Sequence, residues 1–171
     1  MKRKLLATLL ALCLIVGMIP VAASASSETN CPGGDTCTHA AAIGNTHYDT
    51  LQEAVEAVQD KGTITLLQDT KGSGIGTFKD GTSSGKIPVK NFTIDFATHT
   101  YTCIGPAVGS AGTQSQAFHL EWNGNAEDNV KVTLQNGTIT STANSGVMML
   151  VQNYCDLILD NMTLDGSNIG S

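Results

Sequence analysis

Val130–Gly166, VKVTLQNGTITSTANSGVMMLVQNYCDLILDNMTLDG, is the stretch whose reading decides the fold. Laid over each other, Val132-Thr133-Leu134-Gln135-Asn136-Gly137-Thr138-Ile139 and Leu157-Ile158-Leu159-Asp160-Asn161-Met162-Thr163-Leu164 repeat. Val132 falls on Leu157, Leu134 on Leu159, Asn136 on Asn161 and Ile139 on Leu164. A repeat of roughly 20 to 50 residues marks stacked units that cannot bury their apolar face alone. Val130, Val132 and Leu134 alternate with Lys131, Thr133 and Gln135, the period of a strand with one buried face. The bend is Asn-Gly in one copy and Asn-Met in the other. Asn tolerates the left-handed conformation of a sharp turn. Asn residues at the same place in successive units can share side-chain hydrogen bonds. The expected fold is all-β, a parallel β-solenoid.

Outward from that stretch, Asn91 to Ile104 reads as another strand pair, with Ile94-Asp95 matching Leu134-Gln135 and a longer bend near Ala97-Thr98. Thr63 to Leu67 is the first strand. Ala117-Phe118-His119-Leu120-Glu121-Trp122 alternates and is expected to correspond to Val147–Gln152. That alternation puts Trp122 in the core with Phe118 and Leu120. Lys71 to Gly85, Gly105 to Gln116 and Asn123 to Asn129 read as loops. Gly72, Gly74 and Gly76, and the run Gly81 to Lys86, imitate phosphate loops but depart from the spacing or context those loops need. Tyr48 to Gly62 reads as a helix with Thr50 and Glu53 as capping box, Leu51, Ala54, Val55 and Val58 as its apolar face, and Gly62 as its left-handed stop. Its expected task is to cover the first coil.

Lys2, Arg3 and Lys4, an apolar run from Leu5 and the small-residue site Ala23-Ser24-Ala25 form a Sec-type signal peptide over residues 1–25. The apolar run is short for a membrane span. The organisation expected is therefore 1–25 signal peptide, 26–62 a Cys/His segment with the capping helix, and 63–171 the coils. The chain carries 15 acidic and 9 basic residues, a net charge of −6. Removing the leader removes its one arginine, leaving Lys61, Lys71, Lys79, Lys86, Lys90 and Lys131 against all the acids. That balance argues against nucleic acid and against docking on anionic lipid, so neither a nucleic-acid partner nor a membrane role after cleavage is expected.

Export permits disulfides. Pro32-Gly33-Gly34 can turn the chain so that Cys31 meets Cys37, and a disulfide is the first reading. The alternative is a zinc site of Cys31, Cys37, His39 and His47, although zinc cysteines are usually spaced more closely. Cys103 and Cys155 read as buried apolar residues. His99 and His119 lie on strands, with no partner visible in the sequence, and read as surface histidines.

CTHAAAIGNTHYDTLQEAVEAV (37–58), GTITLLQDT (62–70), FTIDFATHTYT (92–102) and LDNMTLDG (159–166) together resemble the right-handed parallel β-helix, pectate-lyase-like surface proteins of anaerobic Gram-positive bacteria. The resemblance implies a right-handed solenoid with an N-terminal cap, stopping within or just after a coil as an N-terminal portion would. Lyases of that shape use carboxylate-bound calcium and an arginine base, and no arginine follows the leader. The related galacturonases gather three aspartates; Asp95, Asp156, Asp160 and Asp165 are the acids on offer. Asp156, Asp160 and Asp165 are thus candidates for calcium or glycan, as is Trp122 for stacking on a sugar. The expected function is a secreted or cell-surface, non-catalytic adhesin or stalk binding extracellular polysaccharide or a host or cell-wall glycan. The alternative is a polysaccharide lyase or glycoside hydrolase with its catalytic coils missing from this chain.

Overall fold

A computed structural model describes residues 37–79, 87–124 and 129–170. The signal segment, Cys31 and the Gly81–Lys86 run lie outside the described residues. The strands form two sheets. The first contains β1 (Ala41–Ile43), β2 (Thr46–Tyr48), β3 (Gly62–Leu66), β4 (Thr70–Gly72), β7 (Phe92–Asp95), β8 (Thr100–Cys103), β10 (Lys131–Ser141) and β12 (Asp156–Asp165). The second contains β5 (Ile75–Phe78), β6 (Ile87–Pro88), β9 (Gln116–Leu120) and β11 (Met149–Asn153).

The repeat sets the strand register. β10 and β12 pair in parallel with Val132 opposite Leu157, Leu134 opposite Leu159 and Ile139 opposite Leu164. On its other side β10 pairs first with β7, Leu134 opposite Ile94, and past its bend with β8, Ile139 opposite Tyr101. The bend residues Asn136 and Asn161 carry φ of 58° and 51°. Asn161 Nδ2 donates to Asn136 Oδ1 across 25 residues at 3.3 Å. Asn136 Nδ2 in turn donates to Asp95 Oδ1. Inward positions stack in rows of like residues: Ile64, Ile94 and Leu134 are fully buried. Burying each such side chain stabilises by about 1.5–3 kcal/mol.

The solenoid expectation is corrected by the topology. Among the described residues the two sheets are open: neither closes on itself, and no strand pairing joins them. The first sheet is mixed, because β1 pairs antiparallel with both β2 and β3. A solenoid needs a constant spacing between stacked strands. Here Thr77 of β5 meets Ile87 on one side and Leu120 on the other. β9 meets β11 with Phe118 opposite Val151, not opposite Met148 as the sequence alignment expects. The sheets are instead held through their facing side chains, with the Tyr101 and Phe118 rings edge to face at 5.8 Å.

The helix is shorter than its periodicity suggests. α1 spans Leu51–Ala57, with Thr50 and Glu53 forming the capping box and Leu51, Ala54 and Val55 buried. Tyr48, read as the first residue of the helix, instead ends β2, the second arm of a hairpin turning at Gly44 (φ 58°). Gly62 is not the helix stop. The backbone leaves at Val58, and the left-handed residue is Lys61 (φ 64°). The Lys90 ammonium donates to the carbonyls of Glu56 and Val58 and so satisfies the helix end from the strand layer beyond. The Lys71–Gly85 stretch, read as a loop, holds most of β4 and all of β5. A Cβ at Gly74 would lie 2.8 Å from the Val108 amide nitrogen, so this glycine answers to packing and not to a phosphate. No helix among the described residues is long and apolar enough to cross a membrane.

Candidate functional site

Three of the four residues in the proposed metal set are described, and they converge. Cys37 and His39 precede β1, and His47 sits in β2 opposite Ala42. Antiparallel pairing carries the chain back past its own start: the Ala40 amide donates to the Tyr48 carbonyl at 2.9 Å. Gln68 fixes the other side, its amide nitrogen donating to the carbonyls of Thr38 and His39 at 2.7 and 3.0 Å. The result places Cys37 Sγ 3.5 Å from His39 Nδ1 and 3.3 Å from His47 Nδ1. The two imidazoles meet edge to face, centroids 5.4 Å apart. His39 turns its other nitrogen, Nε2, to the Asp49 carboxylate at 3.7 Å. Among the described residues this is the group of three His, Cys or acidic side chains whose ligand atoms all fall within 4.8 Å of one another. Cys37 is disulfide-bonded. Cys103 and Cys155 are free thiols, so its partner sulfur lies outside the described residues. Asp49 and Gln68 were not legible as part of this cluster, because a carboxylate ahead of a helix reads first as a cap.

The aspartate candidates do not gather. Asp156, Asp160 and Asp165 are all exposed and strung along β12. At strand rise, Asp156 and Asp160 stand roughly 13 Å apart. Asp160 does stack on Gln135, which stacks on Asp95. Gln135 Nε2 donates to Asp95 Oδ2 at 2.9 Å, so an amide separates the two acids. Burial of Asp95 works to raise its pKa, but hydrogen bonds from the Ala97 amide, Gln135 and Asn136 outweigh it and hold the carboxyl below its ordinary value. Asp165 accepts from the Ser167 amide, a turn contact that also lowers its pKa.

Trp122 is not in the core. It is 39% exposed, with the Lys79 ammonium 5.9 Å from its ring centroid. Of the two histidines, His119 departs from the surface reading. His119 is fully buried and stacks on Phe78 at 4.9 Å. His99 Nδ1 lies 3.4 Å from the Asp69 carboxylate. Both remaining thiols are buried as read, and burial pushes the Cys155 pKa up to about 11.

A second feature went unread in the sequence. The starts of the stacked strands leave a groove of about 500 Å³ lined by Lys61, Asn91, Phe92, Thr93, Asn129, Lys131, Thr133 and Asp156. It is built by ladder contacts. The Asn91 side chain donates to Asp60 at 2.7 Å and accepts from the Lys131 amide at 2.8 Å. The Asn91 side chain and then its backbone amide, both donating to Asp60, lower the Asp60 pKa. Asn129 folds back to accept from the Val130 amide. The signal that could have found this groove is the asparagine just ahead of two successive strands, Asn91 before Phe92 and Asn129 before Val130. Compared with family models, with curated proteins and with solved structures, the chain matches none of them.

Proposed function

We propose that this is an exported, surface-located, non-catalytic β-sheet protein that binds an extracellular polysaccharide or cell-wall glycan in the groove at the strand starts. The groove carries the reading. Two ammonium groups, two carboxamides, two hydroxyls and one carboxylate, drawn from successive strand layers, face one cavity. Sugars are recognised by such sets of donors and acceptors, and a uronic carboxylate suits the Lys61 and Lys131 ammoniums. The Asp156 carboxylate offsets one of the two lysines, so the reading favours sugars of modest charge over dense polyanions, in keeping with the acidic chain as a whole. The basic, apolar and small-residue segments of the first 25 residues support export.

The test is calorimetric titration with neutral and uronic oligosaccharides, alongside chromatography of the sugar after long incubation. Binding without shortening of the sugar is expected. Lys131→Gln combined with Lys61→Asn, the latter tolerant of the left-handed backbone there, should weaken uronic-sugar binding about tenfold or more. Depolymerisation of the glycan would overturn the non-catalytic reading. Absence of binding, or binding indifferent to both substitutions, would overturn the groove.

A further inference from the structure

We propose that reduction of the Cys37 disulfide turns the Cys37–His39–His47 cluster into a zinc site, making the β1–β2 hairpin a redox-gated metal centre. The inference is independent of the glycan reading.

The geometry carries it. Zinc bonds thiolate sulfur at about 2.3 Å and imidazole nitrogen at about 2.0–2.1 Å, so a tetrahedral ion sets sulfur–nitrogen separations near 3.5 Å. The observed separations are 3.5 and 3.3 Å, and both imidazoles present the same nitrogen, Nδ1, to the sulfur. A ligating histidine characteristically gives its other N–H to a carboxylate, which fixes the ring and its tautomer. Asp49 stands in that position behind His39, 3.7 Å from Nε2. One thiolate with two imidazoles is a donor set suited to zinc, with solvent completing the four. The backbone under the cluster is fixed by the hairpin pairing and by Gln68. The ligands are therefore largely arranged before a metal arrives.

The chemistry balances. A dithiol reductant supplies two electrons and two protons and becomes a disulfide itself. The Cys37 sulfur–sulfur bond breaks into two thiols. On binding, the Cys37 thiol releases its proton and the thiolate takes the metal. Each neutral imidazole gives its Nδ1 lone pair and keeps its proton on Nε2. In the oxidised protein the sulfur has no thiolate to offer, and the two histidines alone make a weak site.

The experiment is cobalt titration of the purified chain, oxidised and after reduction followed by anaerobic removal of the reductant, with zinc then added in competition. The reduced chain should develop a thiolate-to-cobalt charge-transfer band and the intense visible bands of a tetrahedral ion, and zinc should abolish both. The oxidised chain should show neither. Cys37→Ser should lose the charge-transfer band, and His47→Gln should lose tetrahedral binding, with circular dichroism reporting whether each variant is folded. Asp49→Asn should retain the spectrum with affinity lowered about tenfold. No cobalt uptake by the reduced chain would overturn the proposal. So would an unchanged charge-transfer band in Cys37→Ser, or equal uptake by the oxidised chain. His47→Gln supplies the decisive comparison if Cys37→Ser does not fold: an unaltered spectrum in it also overturns the site.

Discussion

Gly137 and Met162 occupy the same place in the repeat and face each other across β10 and β12, yet only one of them can carry a side chain. A Cβ on Gly137 would lie 2.2 Å from the Phe96 Cβ and 2.5 Å from the His99 carbonyl. The layer beneath Met162 is Gly137 itself, which leaves room. The glycine therefore serves close approach between layers, while the left-handed turn is made by Asn136 at φ 58°. Gly137→Ala should destabilise the chain by about 2–3 kcal/mol, the range for overpacking a well-filled site. Met162→Ala, on a partly buried outer position, should cost less. Urea unfolding of the two variants checks the order, and equal losses would refute this account of the turn. The sequence made the asparagine legible, because αL turns select it, but not the glycine's reason, which lies in a phenylalanine of the neighbouring strand layer.

At the scale of elements, α1 is too short to stand without its caps. An isolated helix needs about 12–15 residues before it is even marginal in water. What holds these seven is the capping box at Thr50, the buried face of Leu51, Ala54 and Val55, and Lys90 on the last carbonyls. Thr50→Ala should therefore cost about 1 kcal/mol. A thermal melt followed by circular dichroism would register it, and an unchanged midpoint would show that packing alone holds the turn. The capping box was readable because its two residues are three apart. The hairpin beside it was not: β1 and β2 are three residues each, too short for alternation to stand out, and Tyr48 read as the start of the helix. The register of β10 on β12 was readable because Asn recurs at the bend. The register of β9 on β11 was misplaced because Val147-Met148-Met149-Leu150 is apolar throughout and fixes no phase. The Cys37, His39 and His47 grouping was readable from residue type, while the hairpin that brings His47 back to Cys37 was not.

For the molecule as a whole, periodicity told which side chains face inward but not how the strands close, and the solenoid expectation failed there. Strand spacing varies from one layer to the next, and two open sheets result. Two carboxylates, Asp60 and Asp95, tie neighbouring layers of the first sheet at its rim, and Asp165 holds a turn. Hydrogen bonds from Asn91 lower the Asp60 pKa, those from Ala97, Gln135 and Asn136 overcome burial to lower that of Asp95, and the Ser167 amide lowers that of Asp165. A carboxylate depressed in the folded state stabilises it above the unfolded pKa, and that contribution is lost as pH falls through the folded value. The urea midpoint should thus hold level down to about pH 4 and fall below it, and Asp95→Asn should flatten part of the fall. A midpoint rising on acidification would contradict this. The two ends of the first sheet differ in a way that bears on how the chain comes apart. At one end β3 is covered by an antiparallel hairpin and a packed helix. At the other, Leu159 and Leu164 lie over the buried Leu134 and Ile139 but remain 45% and 42% exposed. Opening is cheapest where least apolar surface is lost from cover, and among the described residues β12 is held by the least burial and the hairpin end by the most. The Cys37 cluster therefore sits where the described strands are best covered.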